Sequence, residues 1–241
     1  MYNMSGNIVR RGYAESDEKD FDEKSMSKLR EAQKDIFMLI NRNYPIKNAS
    51  VFVGNHYLLS ERQRIALVRA TSSMKAIEMR NEKEIKSFLE GGIVYIDGFN
   101  IIITLEVALS NSTIIRCMDG TIRDLAGLRG TYRIIDKTDM AITLIGKKLE
   151  ELKVKKAVFY LDEPVSNSGR LKVKILDMLV RYNFNVEVEL VKNADKELEN
   201  MENVISSDAV VIDKSISWFN MAGSIIEKNI RECRCVNLSL V

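Results

Sequence analysis

Acids placed where apolar runs stop carry the chemistry of this sequence. Residues 93–96 form an apolar run that ends in Asp97, followed by Gly98, Phe99 and Asn100. Residues 113–118 end in Asp119, residues 157–161 in Asp162, and residues 209–212 in Asp213. Asp124 follows in the loop after the second run, and Asp208 precedes the last. Uninterrupted apolar runs of this length are the mark of parallel strands buried on both faces. Parallel strands present their carboxyl ends on one side, where open α/β sheets bind ligands. Carboxylates gathered there repel one another unless a cation neutralises them. Hard ions with oxygen ligands, Mg²⁺ or Mn²⁺, suit such a set. One or two of them can activate a water and stabilise the leaving oxygen of a phosphodiester. The competing reading is that each aspartate merely caps the helix after its strand. Gly98 lets the backbone turn without a Cβ clash, and Asn100 can cap the next helix or turn its amide into the crevice.

The elements that must position these acids alternate along residues 91–241. Strands are expected at 93–96, 113–118, 157–161, 185–191, 209–212 and 235–240, and helices at 101–110, 133–152, 168–182, 196–204 and 215–228. Residues 121–130 read as a loop or short helix. That alternation predicts a Rossmann-like α/β parallel sheet flanked by helices. The strand at 185–191 alternates Val186, Val188 and Leu190 with Glu187 and Glu189, which predicts an edge. Before this domain, residues 1–24 are polar and read as a mobile terminus. Residues 25–90 read as a small helical module. Leu29, Ala32, Ile36, Leu39 and Ile40 recur at helical spacing until Asn43, Tyr44 and Pro45 stop the helix. Residues 49–53 are a short apolar stretch ending at Gly54, and Ser60 with Gln63 makes a capping box that opens another helix. That helix carries Arg62, Arg64 and Arg69, then Lys75, beside an apolar side of Ile65, Ala66, Val68 and Ala70. Arginines bind phosphate bidentately, so this face could track a nucleic-acid backbone; the plainer alternative is a solvated face.

Bulk properties narrow the chemistry. The chain has 241 residues with 46% apolar and 29% charged, and a formal net charge of only +2, so any nucleic-acid contact must be a local patch. Three cysteines, two of them separated by one residue, form neither a disulfide framework nor a zinc site, and suit a cytoplasmic protein. A single histidine, His56, removes most triad and histidine-metal mechanisms. There is no phosphate-binding Gly-x-x-x-x-Gly-Lys-Ser/Thr loop and no Gly-x-Gly-x-x-Gly fingerprint. No apolar run reaches the roughly 18 residues of a membrane span.

The stretch Tyr95-Ile96-Asp97-Gly98-Phe99-Asn100 resembles the PIN-like nuclease superfamily, particularly its NYN branch, in which a strand ends in Asp-Gly-x-Asn. The run from Ser207 and Asp208 through Asp213, followed by Ser215, Ser217 and Phe219, is similar to the late strand of that superfamily. Lys214-Ser215 departs from it, since a second acid is common there. Asn43-Tyr44-Pro45, the residues Gly54-Asn55-His56-Tyr57, and Gln63-Arg64 resemble the small helical module of an uncharacterised prokaryotic family in which the module precedes a PIN-like domain. The resemblance implies a metal-dependent nuclease acting on RNA more than DNA. Asp97, Asp162 and Asp213 would hold Mg²⁺ or Mn²⁺, with Asp124 or Asp119 completing the set. Asn100, Arg62, Arg64, Arg123, Arg129 and Lys214 would bind substrate, and a homodimer is a further expectation. The alternative is a non-catalytic nucleic-acid-binding or assembly protein on a degenerate scaffold, which Lys214 favours. A phosphotransferase using Asp97 as nucleophile is weakened because Phe99 stands where such enzymes keep a second acid.

Overall fold

The computed structural model describes residues 9–86, 89–127 and 130–239. Five helices come first: α1 (Asp17–Asp20), α2 (Glu23–Asn41), α3 (Ile46–His56), α4 (Glu61–Ala70) and α5 (Met74–Lys83). Alternation then begins with β1 (Ile93–Asp97), α6 (Gly98–Leu109), β2 (Ile114–Arg116), β3 (Ile122–Asp124), α7 (Asp136–Glu151) and β4 (Lys156–Asp162). It continues with α8 (Ser168–Leu179), β5 (Asn185–Val191), α9 (Ala194–Glu197), β6 (Val204–Ile205), α10 (Ala209–Lys214), α11 (Met221–Asn229) and β7 (Cys235–Asn237). No described helix is long and apolar enough to cross a membrane.

The main sheet is four-stranded, ordered β5-β4-β1-β6, and every pairing in it is parallel. The architecture is thus mixed α/β, a parallel sheet flanked by helices after an N-terminal helical region. Side-chain alternation on the central strands supplies both faces. Val94, Ile96, Ala157, Phe159 and Leu161 enter the core formed with α6, α7, α8 and α11. Val158 and Tyr160 face the opposite way, into a smaller core closed by Leu198, Val211, Ile212 and fully buried Trp218. β5 is the edge, as its alternating pattern predicts. Gly98 is needed where α6 leaves β1 for a reason other than the turn. A Cβ there would lie 2.6 Å from Leu161 Cδ2 and 3.0 Å from the Tyr160 carbonyl oxygen, so glycine lets the helix start press against β4.

Several expected elements are corrected. The helix expected at 196–204 is the short α9 ending at Glu197, with Val204 in β6, and the helix expected at 215–228 begins only at Met221. The run at 113–118 does not join the main sheet. It forms β2, which pairs antiparallel with β3 and parallel with β7 in a separate three-stranded sheet. The segment 121–130 accordingly contributes a strand rather than only a loop, and Gly120 (φ +78°) makes the hairpin turn. Residues 209–212 are the body of helix α10, not a strand; the strand is the short β6 just before them. A four-residue apolar run is compatible with either period, and Asp208 decides the matter by accepting from the Val210 and Val211 amides as an N-cap. Residues 49–53 lie inside α3.

The helical region shares a core with the small sheet. Leu29, Ile36, Val53, Ala66 and Leu67 pack with Ile115, Cys117, Leu125, Val236 and Leu238. Within residues 9–24, Phe21 reaches the same core, and Asp17 is buried against Arg62. The Ser60–Gln63 capping box is formed in both directions. These contacts set the helices over one end of the main sheet.

Candidate active-site cleft

Where the helices α2–α5 meet the carboxyl ends of β1 and β4 and the residues after β6, they enclose a cavity of about 740 Å³. Its sheet-side wall carries Asp97, Asn100, Asp162, Asp195, Ser207 and Asp208. Asp97 ends β1 and Asp162 ends β4, so the register of two parallel neighbours delivers both carboxylates to one edge. Asp208 follows β6, and Asp195 stands in the first turn of α9, beyond β5.

Local hydrogen bonds fix this wall. Asp97 is 6% exposed, accepts from the Ser206 hydroxyl at 2.9 Å and caps α6 through the Asn100 amide at 3.4 Å. Asn100 Oδ1 accepts from both the amide and the hydroxyl of Ser207 at 2.9 Å. The Arg123 guanidinium holds the same loop by donating to the Ser207 carbonyl at 2.6 Å. Asp162 accepts from the Ala194 amide at 2.9 Å, which ties β4 to the start of α9. Asp97 and Asn100 therefore clamp the Ser206-Ser207-Asp208 turn.

Electrostatics separates two kinds of acid. Burial pushes the Asp97 carboxyl up to about 7, and the nearby Asp195 and Asp208 carboxylates push the same way against the Ser206 hydrogen bond. Asp195, at the exposed rim, is likewise raised by desolvation and then by Asp208 and Asp162. Asp97, Asp162, Asp195 and Asp208 thus sit in one another's field, and none has a cation within ion-pair distance among the described residues. Asp119, Asp124 and Asp213 differ. Asp119 is buried between Arg80 at 2.6 Å and Arg123, and accepts from the Thr121 hydroxyl at 2.6 Å. Burial alone would raise its carboxyl, but Arg123, Thr121 and Arg80 together hold it below the usual range. Asp213, on α10, is clamped bidentately by Arg80 at 2.6 and 2.9 Å. Asp124 is raised by burial, accepts from the Thr104 hydroxyl at 2.9 Å and pairs with Arg69 at 3.4 Å.

Of the acids expected to act together, Asp97 and Asp162 meet in the cleft with Asp124 at its margin, whereas Asp119 and Asp213 do not line it. Asp195 and Asp208 take their place. Asp208 is the N-cap of α10, a position that the strand-like apolar run after it conceals in the sequence. Asp195 carried a signal, an acid following the strand Asn185–Val191, but it lies inside the first turn of a short helix rather than at the strand end. Among the expected cationic contacts, Arg123 lines the cleft but is spent on Asp119 and Ser207. Arg62 binds Asp17 and the carbonyls of Leu125 and Gly12, and Arg64 binds the Leu59 carbonyl and Asn55. Lys214 pairs with Glu199 and does not line the cleft, though its charge reaches Asp195. Arg129 lies outside the described residues. Arg69, expected with Arg62 and Arg64 on the basic face of α4, is the partly exposed guanidinium on the cleft wall, where it pairs with Asp124.

The donor set fits a hard divalent cation in chemistry: the four unpaired acids offer only oxygen, and their mutual repulsion asks for positive charge. In spacing it is looser, for among the described residues no three acidic, histidine or cysteine side chains converge closely enough to hold one ion.

No solved structure matches the chain. A relative described as the uncharacterized protein MJ0935 of Methanocaldococcus jannaschii is 41% identical over 186 residues, covering 76% of this chain and 88% of its own length. Residues 28–83 match the family described as "Protein of unknown function (DUF434)". The cleft's sheet-side residues Asp97, Asn100, Asp162, Asp195 and Asp208 all fall within residues 86–224, which match "Domain of unknown function (DUF5616)", and the chain belongs to that family.

Proposed function

We propose that this protein is a metal-dependent nuclease acting on RNA, with its active site in the cleft between the helices and the parallel sheet. One observation carries the reading: four aspartates from the carboxyl edge of one parallel sheet face a shared cavity without cationic partners, while the other acids of the neighbourhood are neutralised by arginine. A pair among Asp97, Asp162, Asp195 and Asp208 would bind Mg²⁺ or Mn²⁺ with waters completing the shell, since no three of the described acids converge on one ion. When bound, such a cation supplies an activated water and stabilises the leaving oxygen of a phosphodiester. The chain's own residues do the rest. Asn100 and Arg123 fix the turn that carries Asp208. Arg69, partly exposed across the cleft, provides the charge for a substrate phosphate. The resemblance of the Asp97–Asn100 stretch to PIN-like nucleases points the same way.

The looser spacing of the carboxylates favours a second reading, a nucleic-acid-binding protein on a scaffold that does not cut. Calorimetric titration of Mn²⁺ at pH 8 into the wild type and Asp208→Asn separates the two. Micromolar binding lost in the variant, with Mn²⁺-dependent cleavage of single-stranded RNA by the wild type, is the expected result. A wild type that binds no Mn²⁺ would transfer the case to the second reading.

A further inference from the structure

The helix-side wall of the cleft is part apolar and part polar. Ile40 from the last turn of α2, Tyr44 from the turn after it, Ile46 from the first turn of α3, and Val68 from α4 line it together with Arg69, Ser72 and Arg80. Three separate helices and one turn thus give this wall apolar positions in a cavity whose sheet side carries the acids. Tyr44 is 56% exposed, although it belongs to a wall rather than to the outer surface. Its backbone is nonetheless fixed. The Tyr44 amide donates to the Leu39 carbonyl at 3.2 Å, Asn43 before it takes the left-handed conformation (φ 66°), and Pro45 after it caps α3. An exposed aromatic ring on a fixed backbone, lining a concave site, is a platform for a planar ligand.

We propose that this wall reads the base of a single unpaired nucleotide, with Tyr44 as its stacking residue and Ile40, Ile46 and Val68 as the floor behind it. The inference rests on the nuclease reading only in requiring that a nucleic-acid strand enters the cleft. A nucleotide has the polarity of the cavity, a flat base with an apolar face joined to an anion that Arg69 and a carboxylate-held cation would receive. The volume lies in the range of small-ligand sites and is too small for a duplex. The helical module would then set which nucleotide lies against the acids, while the sheet edge sets the chemistry. Tyr44 is a specificity residue and takes no part in bond breaking.

The test uses a fluorescently labelled eight-nucleotide single-stranded RNA, with Ca²⁺ replacing Mn²⁺ so that the strand is held without being cut, and anisotropy as the readout. An abasic nucleotide is placed at each position in turn. The wild type should lose at least about fivefold in affinity at one position, the scale of one base–aromatic stack. Tyr44→Ala should bind the intact strand more weakly by the same factor and lose its sensitivity to that abasic position, while Tyr44→Phe keeps both. Because Tyr44 is exposed, its substitution leaves the core in place, which an unchanged melting curve and unchanged Mn²⁺ titration would verify. Tyr44→Ala binding the intact strand as well as the wild type, or a wild type equally tolerant of every abasic position, would overturn the base-reading wall and leave the nuclease reading standing. A wild type that binds no strand would remove both.

Discussion

Two sets of aspartates lie within one small region of this molecule, and their partners distinguish them. Around Arg80 and Arg123 the acids are satisfied: Asp119 is bonded by both guanidiniums, and Asp213 is clamped by Arg80. Arg80 comes from α5 and Arg123 from β3, so this network ties the helices and the small sheet to α10. At the neighbouring edge of the main sheet, Asp97, Asp162, Asp195 and Asp208 line one cavity, and none of them forms an ion pair among the described residues. Residue type and position after an apolar run are alike in both sets. An acid that already owns a guanidinium holds the fold; an acid left in the field of other acids is available to a ligand.

The sharpest way to break the comparison is to unbalance the satisfied set. Arg80→Ala removes the bidentate clamp on Asp213 and one of two cations from fully buried Asp119. Removing one partner of a buried pair costs about 3–5 kcal/mol, and the lower end applies because Asp119 retains Arg123. Urea unfolding should register a loss of about 3 kcal/mol; a loss below about 1 kcal/mol would show that the network is not structural.

The unsatisfied set should respond with the opposite sign. The Asp97 carboxyl has an ordinary value of 3.8 and stands at about 7 in the fold. It binds its proton more tightly folded than unfolded, so its contribution to stability is full below about 4 and is lost as pH rises to 7. Asp97→Asn keeps an acceptor for the Ser206 hydroxyl and removes the buried charge. At pH 8 without metal the variant should be more stable than the wild type by about 2 kcal/mol, with the advantage vanishing at pH 4. The same variant should lose Mn²⁺ binding and cleavage. A variant destabilised at pH 8 would place Asp97 among the structural acids.

How much of this was legible follows the same physics. The parallel sheet was readable because β1 and β4 are continuous apolar runs bounded by an acid, and β5 alternates as an edge should. The shared edge position of Asp97 and Asp162 was readable because they end β1 and β4, and Asn100 follows in the first turn of α6. Asp208 was misplaced because residues 209–212 fit either period. Separating Asp119 and Asp213 from the site needs the positions of Arg80 and Arg123, which are 39 and 4 residues from Asp119 in sequence and meet it only through the fold. The engagement of Arg62 and Arg64 was hidden for the same reason: an arginine on a short helix shows its charge in the sequence, not the carbonyls it satisfies.

A smaller effect sharpens the comparison through pH. In the proposed site a cation would bind the ionised Asp97 carboxyl, so below about 7 each bound ion would have to displace a proton. Mn²⁺ affinity should fall about tenfold per unit as pH drops from 7 to 5, and level off above 8. An affinity independent of pH across that window would show that Asp97 is not a ligand.

The smallest expected effect concerns Lys214, which sequence alone offered as a phosphate contact. It is exposed, pairs with Glu199 and does not line the cleft. An exposed pair of this kind contributes about 0–1 kcal/mol, because solvent screens it and two long side chains must be ordered to make it. Lys214→Ala should therefore shift stability by at most about 0.5 kcal/mol and leave the KM for single-stranded RNA unchanged. Arg69→Ala should raise that KM severalfold, since its guanidinium lines the cavity and is partly exposed while paired with Asp124 and bonded to the Asp124 and Ala126 carbonyls. A KM that rises for Lys214→Ala and not for Arg69→Ala would move the phosphate path out of the cleft, along α10, and would separate the strand from the four unpaired acids.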